Sequence, residues 1–160
     1  LAYSAYVLEH LDFPEKMLAE AARVLKSKGK LILIAPNFGA PNRRSPNSTE
    51  PKLTKLFKGF ISDLRSVAQS SQSSLNWQKV KPKTSRYAID ADTVTEPYLL
   101  TLVRYSNHLK MIPVKATSCW PEDRFSLFQL GFKLLGALRA YPFFYWGPHL
   151  CLVLQKGKDE

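Results

Sequence analysis

Glycine, cysteine and histidine are all scarce in this chain of 160 residues, and each shortage removes a class of function. The seven glycines include no GxGxG arrangement, so the glycine-rich turn that lets a backbone approach a nucleotide-like ligand is missing from the sequence. The two cysteines, Cys119 and Cys151, are too few and too far apart to suggest a disulfide framework. With three scattered histidines they form no metal-ligand spacing, so no metal site is expected. Reduced thiols in a cytoplasmic compartment are the expectation. No apolar run reaches the roughly 18 residues needed to span a bilayer. Nor does a charged stretch followed by an apolar block mark a leader near Leu1, so a soluble protein is expected.

Acidic residues are also in short supply. Thirteen Asp and Glu face 23 Lys and Arg, a net charge of +10. Most of this excess lies between Arg43 and Arg86, where ten basic residues meet only Glu50 and Asp63, leaving +2 for the rest of the chain. The charge therefore belongs to one segment, and that segment invites a test for nucleic-acid or anionic-surface binding. At 45% hydrophobic residues, a chain of this length fills the core of one domain.

What is present is concentrated in Tyr3 to Asn37. Asp12 is placed to cap a helix, with Pro14 in its first turn and Glu15 three residues on. Leu18, Ala21, Ala22 and Leu25 recur at helical spacing, with Glu15, Glu20 and Arg23 on the other side. Lys26 and Lys28 suit the negative end of the helix dipole, and Gly29 suits a left-handed terminating turn. Leu31 to Ala35 carries no polar residue, so it reads as a strand covered on both faces, as in parallel sheets flanked by helices.

The run VLEHLDFPEKMLAEAARVLKSKGKLILIAPN, Val7 to Asn37, resembles the middle of a class I S-adenosylmethionine (SAM)-dependent methyltransferase of the small-molecule, type 11-like kind. In that family "LEH" follows the fourth strand, "L-x-E-x-x-R-V-L-K" lies on the next helix, and "G-G-x-L-x-x-x-x-P-N" is the fifth strand. Lys28-Gly29 stands here in place of the usual Gly-Gly. The motif covers about a fifth of the chain; Asp90 to Lys156 fits the closing helices and strands more loosely, including the ending YPFFYWGPHLCLVLQK. The family's glycine-rich first loop and the acidic residue ending its second strand are not here. The resemblance thus implies the C-terminal part of a methyltransferase domain over residues 1–160, lacking about three strands, with a basic, partly helical insertion at about 38–88.

Several residue roles follow from the resemblance. Leu1 to Tyr6 holds the end of a strand and its turn, and Ala2, Tyr3 and Ser4 would lie beside the cofactor, which would be SAM. Asn37, in the Pro36-Asn37 turn, would face the acceptor; an Asx-type turn is its structural alternative. Glu9 and His10 are the only adjacent acid-imidazole pair, and His10 is a possible general base toward a hydroxyl acceptor. It equally fits a purely structural part in the loop, because the sulfonium is an activated donor and orientation alone suffices in many such enzymes.

Further along, GAPNRRSPNSTEP reads as loop. Leu53, Leu56, Phe57, Phe60, Ile61, Leu64, Val67 and Ala68 trace a helical stripe, with Lys52, Lys55, Lys58 and Arg65 on the other faces. This helix is open to three placements: a lid over the site, contact with an anionic membrane surface, or a solvated face. Gln69 to Ser74 reads as a linker, and Trp77 to Tyr87 mixes bases and aromatics in a way that suits a nucleic-acid strand. A second helix is expected from Thr95, with Glu96 and Pro97 in its first turn; Asp90 and Asp92 before it suit a cation or a cap. Met111 to Cys119 reads as a strand, Pro121 to Tyr141 as a helix with Phe125, Phe128, Leu135 and Leu138 inward, and His149 to Leu154 as a final strand.

The expected fold is α/β: a partial Rossmann-like sheet with flanking helices and an antiparallel final strand. The expected function is methyl transfer from SAM to an unidentified, small-molecule acceptor. The rival is a non-enzymatic module binding nucleic acid or anionic surfaces through the basic 43–86 segment.

Overall fold

The computed structural model describes residues 1–68, 71–83, 90–120 and 127–157. Four strands form one sheet: β1 (Ala2–Ala5), β2 (Lys30–Pro36), β3 (Met111–Cys119) and β4 (His149–Lys156), in the spatial order β1-β2-β4-β3. β1 and β2 are parallel, with Ala2 opposite Leu31 and Ser4 opposite Leu33. β4 runs antiparallel to both β2 and β3, as expected for the last strand. A crossover helix, α1 (Pro14–Val24), joins the parallel pair, because parallel neighbours cannot be linked by a tight turn.

The alternation along these strands decides where the core sits. Leu31, Leu33 and Ala35 of β2 register with Leu154, Leu152 and Leu150 of β4, and all six are buried. Leu18, Ala22 and Leu25 close over this face from α1, and Leu99, Leu102 and Tyr105 from α3 (Leu99–His108). Each such leucine contributes about 2 kcal/mol of burial. On the opposite face, Ile32 and Ile34 are only half-buried, and Tyr3, in register with Ile32, is exposed. The expectation that both faces of β2 are fully covered is thus met on one face alone among the described residues. No described helix is long and apolar enough to cross a membrane.

Local punctuation differs from the sequence reading in three places. α1 begins at Pro14 after Phe13, and neither Asp12 nor any other side chain caps it; Glu15 instead accepts from the backbone N–H of Leu75 at 3.4 Å. The left-handed residue after α1 is Lys28, at φ 61°, while Gly29 has no positive φ. Gly29 is needed for space: a Cβ there would stand 2.6 Å from the Lys26 carbonyl oxygen. The second well-signalled helix starts at Leu99 rather than Thr95, because Thr95 is drawn into a bridge with Lys79 and Glu96 into a buried ion pair.

α2 (Lys52–Arg65), for which three placements were open, turns its apolar stripe outward. Its buried residues are Lys55 and Asp63, while Leu53, Phe57, Ile61 and Leu64 are exposed. Lys55 Nζ pairs with Glu96 and donates to the Phe38 carbonyl at 2.8 Å. Asp63 accepts from the Tyr98 hydroxyl at 2.5 Å and from Trp146 Nε1 at 2.9 Å. Buried charges need partners, and α2 finds them only by turning its polar side inward. Leu56 and Phe60 still reach a second, aromatic cluster around Tyr98 and Trp146. α4 (Leu127–Ala137) joins that cluster through Phe132, but Phe128, Leu135 and Leu138, expected inward, are exposed. Phe125 lies outside the described residues.

Candidate active site

In open α/β sheets the ligand crevice lies beyond the carboxyl ends of the parallel strands. Here those ends are Ala5 of β1 and Pro36 of β2. β1 is short and leads at once into a turn at Tyr6, held in the left-handed region at φ 56° and tied to β2 by its N–H to the Ile34 carbonyl at 2.8 Å. Next comes the 3-10 turn Leu8–His10. Leu8 is fully buried and fixes that turn, so Glu9 and His10 sit at a defined place on the rim.

Glu9 is the unusual residue of this region. It is 1% exposed, and neither carboxylate oxygen has a hydrogen-bond partner among the described residues. Burial raises its pKa above the ordinary 4.5; its own backbone amide and His10 oppose the shift, and Asp90 and Asp92 reinforce it. His10 Nε2 stands 3.7 Å from Glu9 Oε1, and His10 Nδ1 3.3 Å from the Asp92 carboxylate, so the imidazole is flanked by acids on both sides.

The segment 91–95 is stitched to this turn. The Glu9 carbonyl accepts from the N–H groups of Val94 and Thr95, and the Thr95 hydroxyl donates to the Leu8 carbonyl at 3.1 Å. The Asn47 amide donates to the Ala91 and Thr93 carbonyls. Several buried polar atoms remain without a partner among the described residues: Ser4 Oγ, both Glu9 oxygens, Asn47 Oδ1, Ser48 Oγ, Thr93 Oγ1 and His149 Nδ1. Buried polar atoms left unpaired are costly, and those of Glu9, Asn47 and Thr93, on segments linked by the bonds just described, suit a polar ligand.

Among the residues singled out from sequence, Ala2 packs against the core, Tyr3 points to the open face and is 78% exposed, and Ser4 has a buried, unpartnered hydroxyl. Asn37 lies elsewhere in character. It is fully buried, its amide nitrogen donates to the Tyr145 and Gly147 carbonyls at 2.7 and 2.8 Å, and its Oδ1 accepts from the Leu99 N–H at 3.0 Å. The direct acceptor contact expected for Asn37 is therefore replaced by a clamp joining the end of β2, the start of α3 and the aromatic turn. His149 sits across from Tyr6, ring centroids 6.2 Å apart. Asn47, Thr93 and His149 were not legible as site residues; they come from distant loops with no local motif. Glu9 carried a signal, an acid next to His10 and set among Val7, Leu8 and Leu11.

The raised pKa of Glu9 has a measurable consequence. A carboxyl whose folded pKa lies above its unfolded value stabilises the fold fully below about 4.5, and that contribution is lost as pH rises through the folded value. Glu9→Gln should remove this decline, raising the melting temperature at pH 7 by a few degrees and flattening its dependence on pH above 4.5. Thermal unfolding across pH tests it; a variant that melts lower at pH 7 with an unchanged profile contradicts the burial argument.

Among the described residues no group of three His, Cys, Asp or Glu could hold a metal ion. The basic aromatic stretch offers less to nucleic acid than its composition suggests, because Trp77 is half-buried and donates its indole N–H to the Thr101 hydroxyl at 2.7 Å. Residues 84–87 of that stretch lie outside the described residues, as do 69 and 70 of the expected linker, whose Gln72 N–H is bonded to the Arg104 carbonyl.

No curated protein matches the chain. Residues 1–33, which build β1, the Leu8–His10 turn, α1 and the first half of β2, match the family described as a methyltransferase domain. That match supports a methyltransferase-type domain, and the mixed sheet with its antiparallel closing strand is consistent with a partial Rossmann-like methyltransferase fold.

Proposed function

We propose that this domain takes part in methyl transfer from SAM to a small-molecule acceptor. The observation that supports the reading is that residues 1–33, which match a methyltransferase domain, include Ser4 within β1 and the Leu8–His10 turn that follows the carboxyl end of β1 and carries Glu9 and His10. Ala2, Tyr3 and Ser4 would border the cofactor. SAM supplies an activated methyl group when bound, and the residues here hold the acceptor and manage its proton. His10, flanked by Glu9 and Asp92, is the group placed to take a proton from a hydroxyl or amine acceptor. Glu9 positions His10 from the buried side. Asn37 acts indirectly, by fixing the turn at the end of β2 against α3. A cytoplasmic location is part of the same reading.

Calorimetric titration with SAM, on this chain and on the product of the longest open reading frame containing it, tests the proposal. Binding by the longer product, with or without binding by this chain, supports it and makes acceptor screening the next step. Absence of binding by both overturns it.

A further inference from the structure

We propose that the exposed apolar sides of α2 and α4, together with a basic pocket at their amino-terminal ends, form a docking surface for an anionic lipid bilayer. This inference is independent of the methyl-transfer reading.

It begins with the outward stripe of α2. Phe57 is 63% exposed on a stripe with Leu53 and Leu64, and the helix is held to the body through Lys55 and Asp63 instead. α4 repeats the pattern: Leu127 is 88% and Leu134 58% exposed, and no residue of the helix is buried. A contiguous exposed apolar surface is costly in water and marks a contact site. The two helices are neighbours in the fold. Phe60 of α2 and Phe132 of α4 both stack on Phe143, at 5.9 and 5.7 Å between ring centroids.

Charge selects the occupant. α4 contains no acidic residue, and the single acid of α2, Asp63, is buried. Lys52, Lys58 and Arg65 line the outer part of α2, with Lys58 3.8 Å from Glu50. Between the first turns of the two helices lies a pocket of about 220 Å³ bordered by Asn42, Arg43, Arg44, Lys52 and Gln129, with no carboxylate in its wall among the described residues. The Arg43 guanidinium lies 5.3 Å from the Trp120 ring centroid, and its Nε is buried with no hydrogen-bond partner among the described residues. A headgroup phosphate supplies the acceptor oxygens that such a guanidinium lacks. Apolar side chains for the acyl boundary, rimmed by cations for the headgroups, are the makeup of an interfacial membrane helix. A protein groove would accept the apolar stripe but gives no reason for the basic rim.

Co-sedimentation of the full chain with phosphatidylcholine vesicles, and with vesicles in which about a third of the lipid is phosphatidylglycerol, tests the proposal. Binding is expected to the anionic vesicles only, weakening as salt is raised. Phe57→Ser combined with Leu134→Ser should lower the partition coefficient about tenfold or more. Arg43→Glu and Lys52→Glu should each lower it by about fivefold or more. All four side chains are at least partly exposed, and unchanged thermal unfolding shows that these variants remain folded. No vesicle binding, equal binding to neutral vesicles, or anionic binding indifferent to Phe57 and Leu134 overturns the proposal. So does a dimer, seen by light scattering without vesicle binding, that the Phe57 and Leu134 substitutions abolish; the apolar faces would then be an interface between copies of the chain.

Discussion

Replacing Glu96 with alanine is expected to destabilise the chain by about 3–5 kcal/mol, among the largest effects of any single substitution. Glu96 is 1% exposed; one of its oxygens pairs with Lys55, and the other accepts from the backbone N–H and the hydroxyl of Ser45, both at 2.8 Å. One carboxylate thus holds α2, the 39–51 loop and the segment before α3 together. Without it, the buried Lys55 ammonium keeps only the Phe38 carbonyl as a hydrogen-bond partner among the described residues. Burial already lowers the Lys55 pKa below its ordinary 10.5, and the attraction of Glu96 is the main opposing influence. In the variant the unfolded chain therefore binds the lysine proton more readily than the folded one, and stability should rise with pH toward 10.5. Urea unfolding at neutral and alkaline pH measures both effects. The double variant Lys55→Met, Glu96→Leu should recover most of the loss, because the uncompensated charge, rather than the missing pair, carries the cost. A Glu96→Ala chain as stable as the parent would sink this account of α2.

Asn37→Ala should cost about 4 kcal/mol, from three buried backbone groups left without partners at about 1–2 kcal/mol each. The carbonyls of Tyr145 and Gly147 lose their donor, and the Leu99 N–H loses its acceptor. Asn37→Asp keeps the acceptor but sets a carboxylate oxygen against two carbonyls, so it should be no better than alanine. Both losses should appear in the chain with no ligand present, by thermal unfolding, and the Leu99 amide should lose protection from hydrogen exchange. A residue whose only part was to contact the acceptor would show neither. Full stability with lost acceptor binding would restore the direct role that its place after β2 first suggests.

The two predictions concern residues whose type was plain in the sequence and whose environment was not. Lys55 stands in a run that reads as a solvated basic face, and its burial depends on Glu96, which lies far along the chain. Asn37 ends a strand, where a turn or a ligand contact is equally reasonable; its partners come from α3 and the aromatic turn. The exposed stripe of α2 has the same origin. Helical periodicity showed that Leu53, Phe57 and Leu64 share a side, and only the placement of Glu96, Tyr98 and Trp146 decided that the other side faces inward.

The candidate site was legible in proportion to how local it is. Glu9 and His10 are adjacent, and the strand-to-turn passage at Ala5 and Tyr6 follows from a short apolar run. The residues that surround them, Asn47, Thr93 and His149, approach from separate loops, and no spacing in the chain connects them.

By itself, the sequence determined α1, β2 and the late strands β3 and β4, because periodicity and the apolar run record which residues must leave water within one element. It carried the likeness of residues 1–33 to a methyltransferase domain as well, since that segment is a single strand-helix-strand unit read in order. Only the tertiary structure decided which side of α2 is buried, that Gly29 serves space rather than a left-handed turn, and that the Glu9 carboxylate is buried beside His10 with no hydrogen-bond partner among the described residues. Those outcomes rest on desolvation and hydrogen bonding between segments remote in the chain, and such energies exist only once the segments meet.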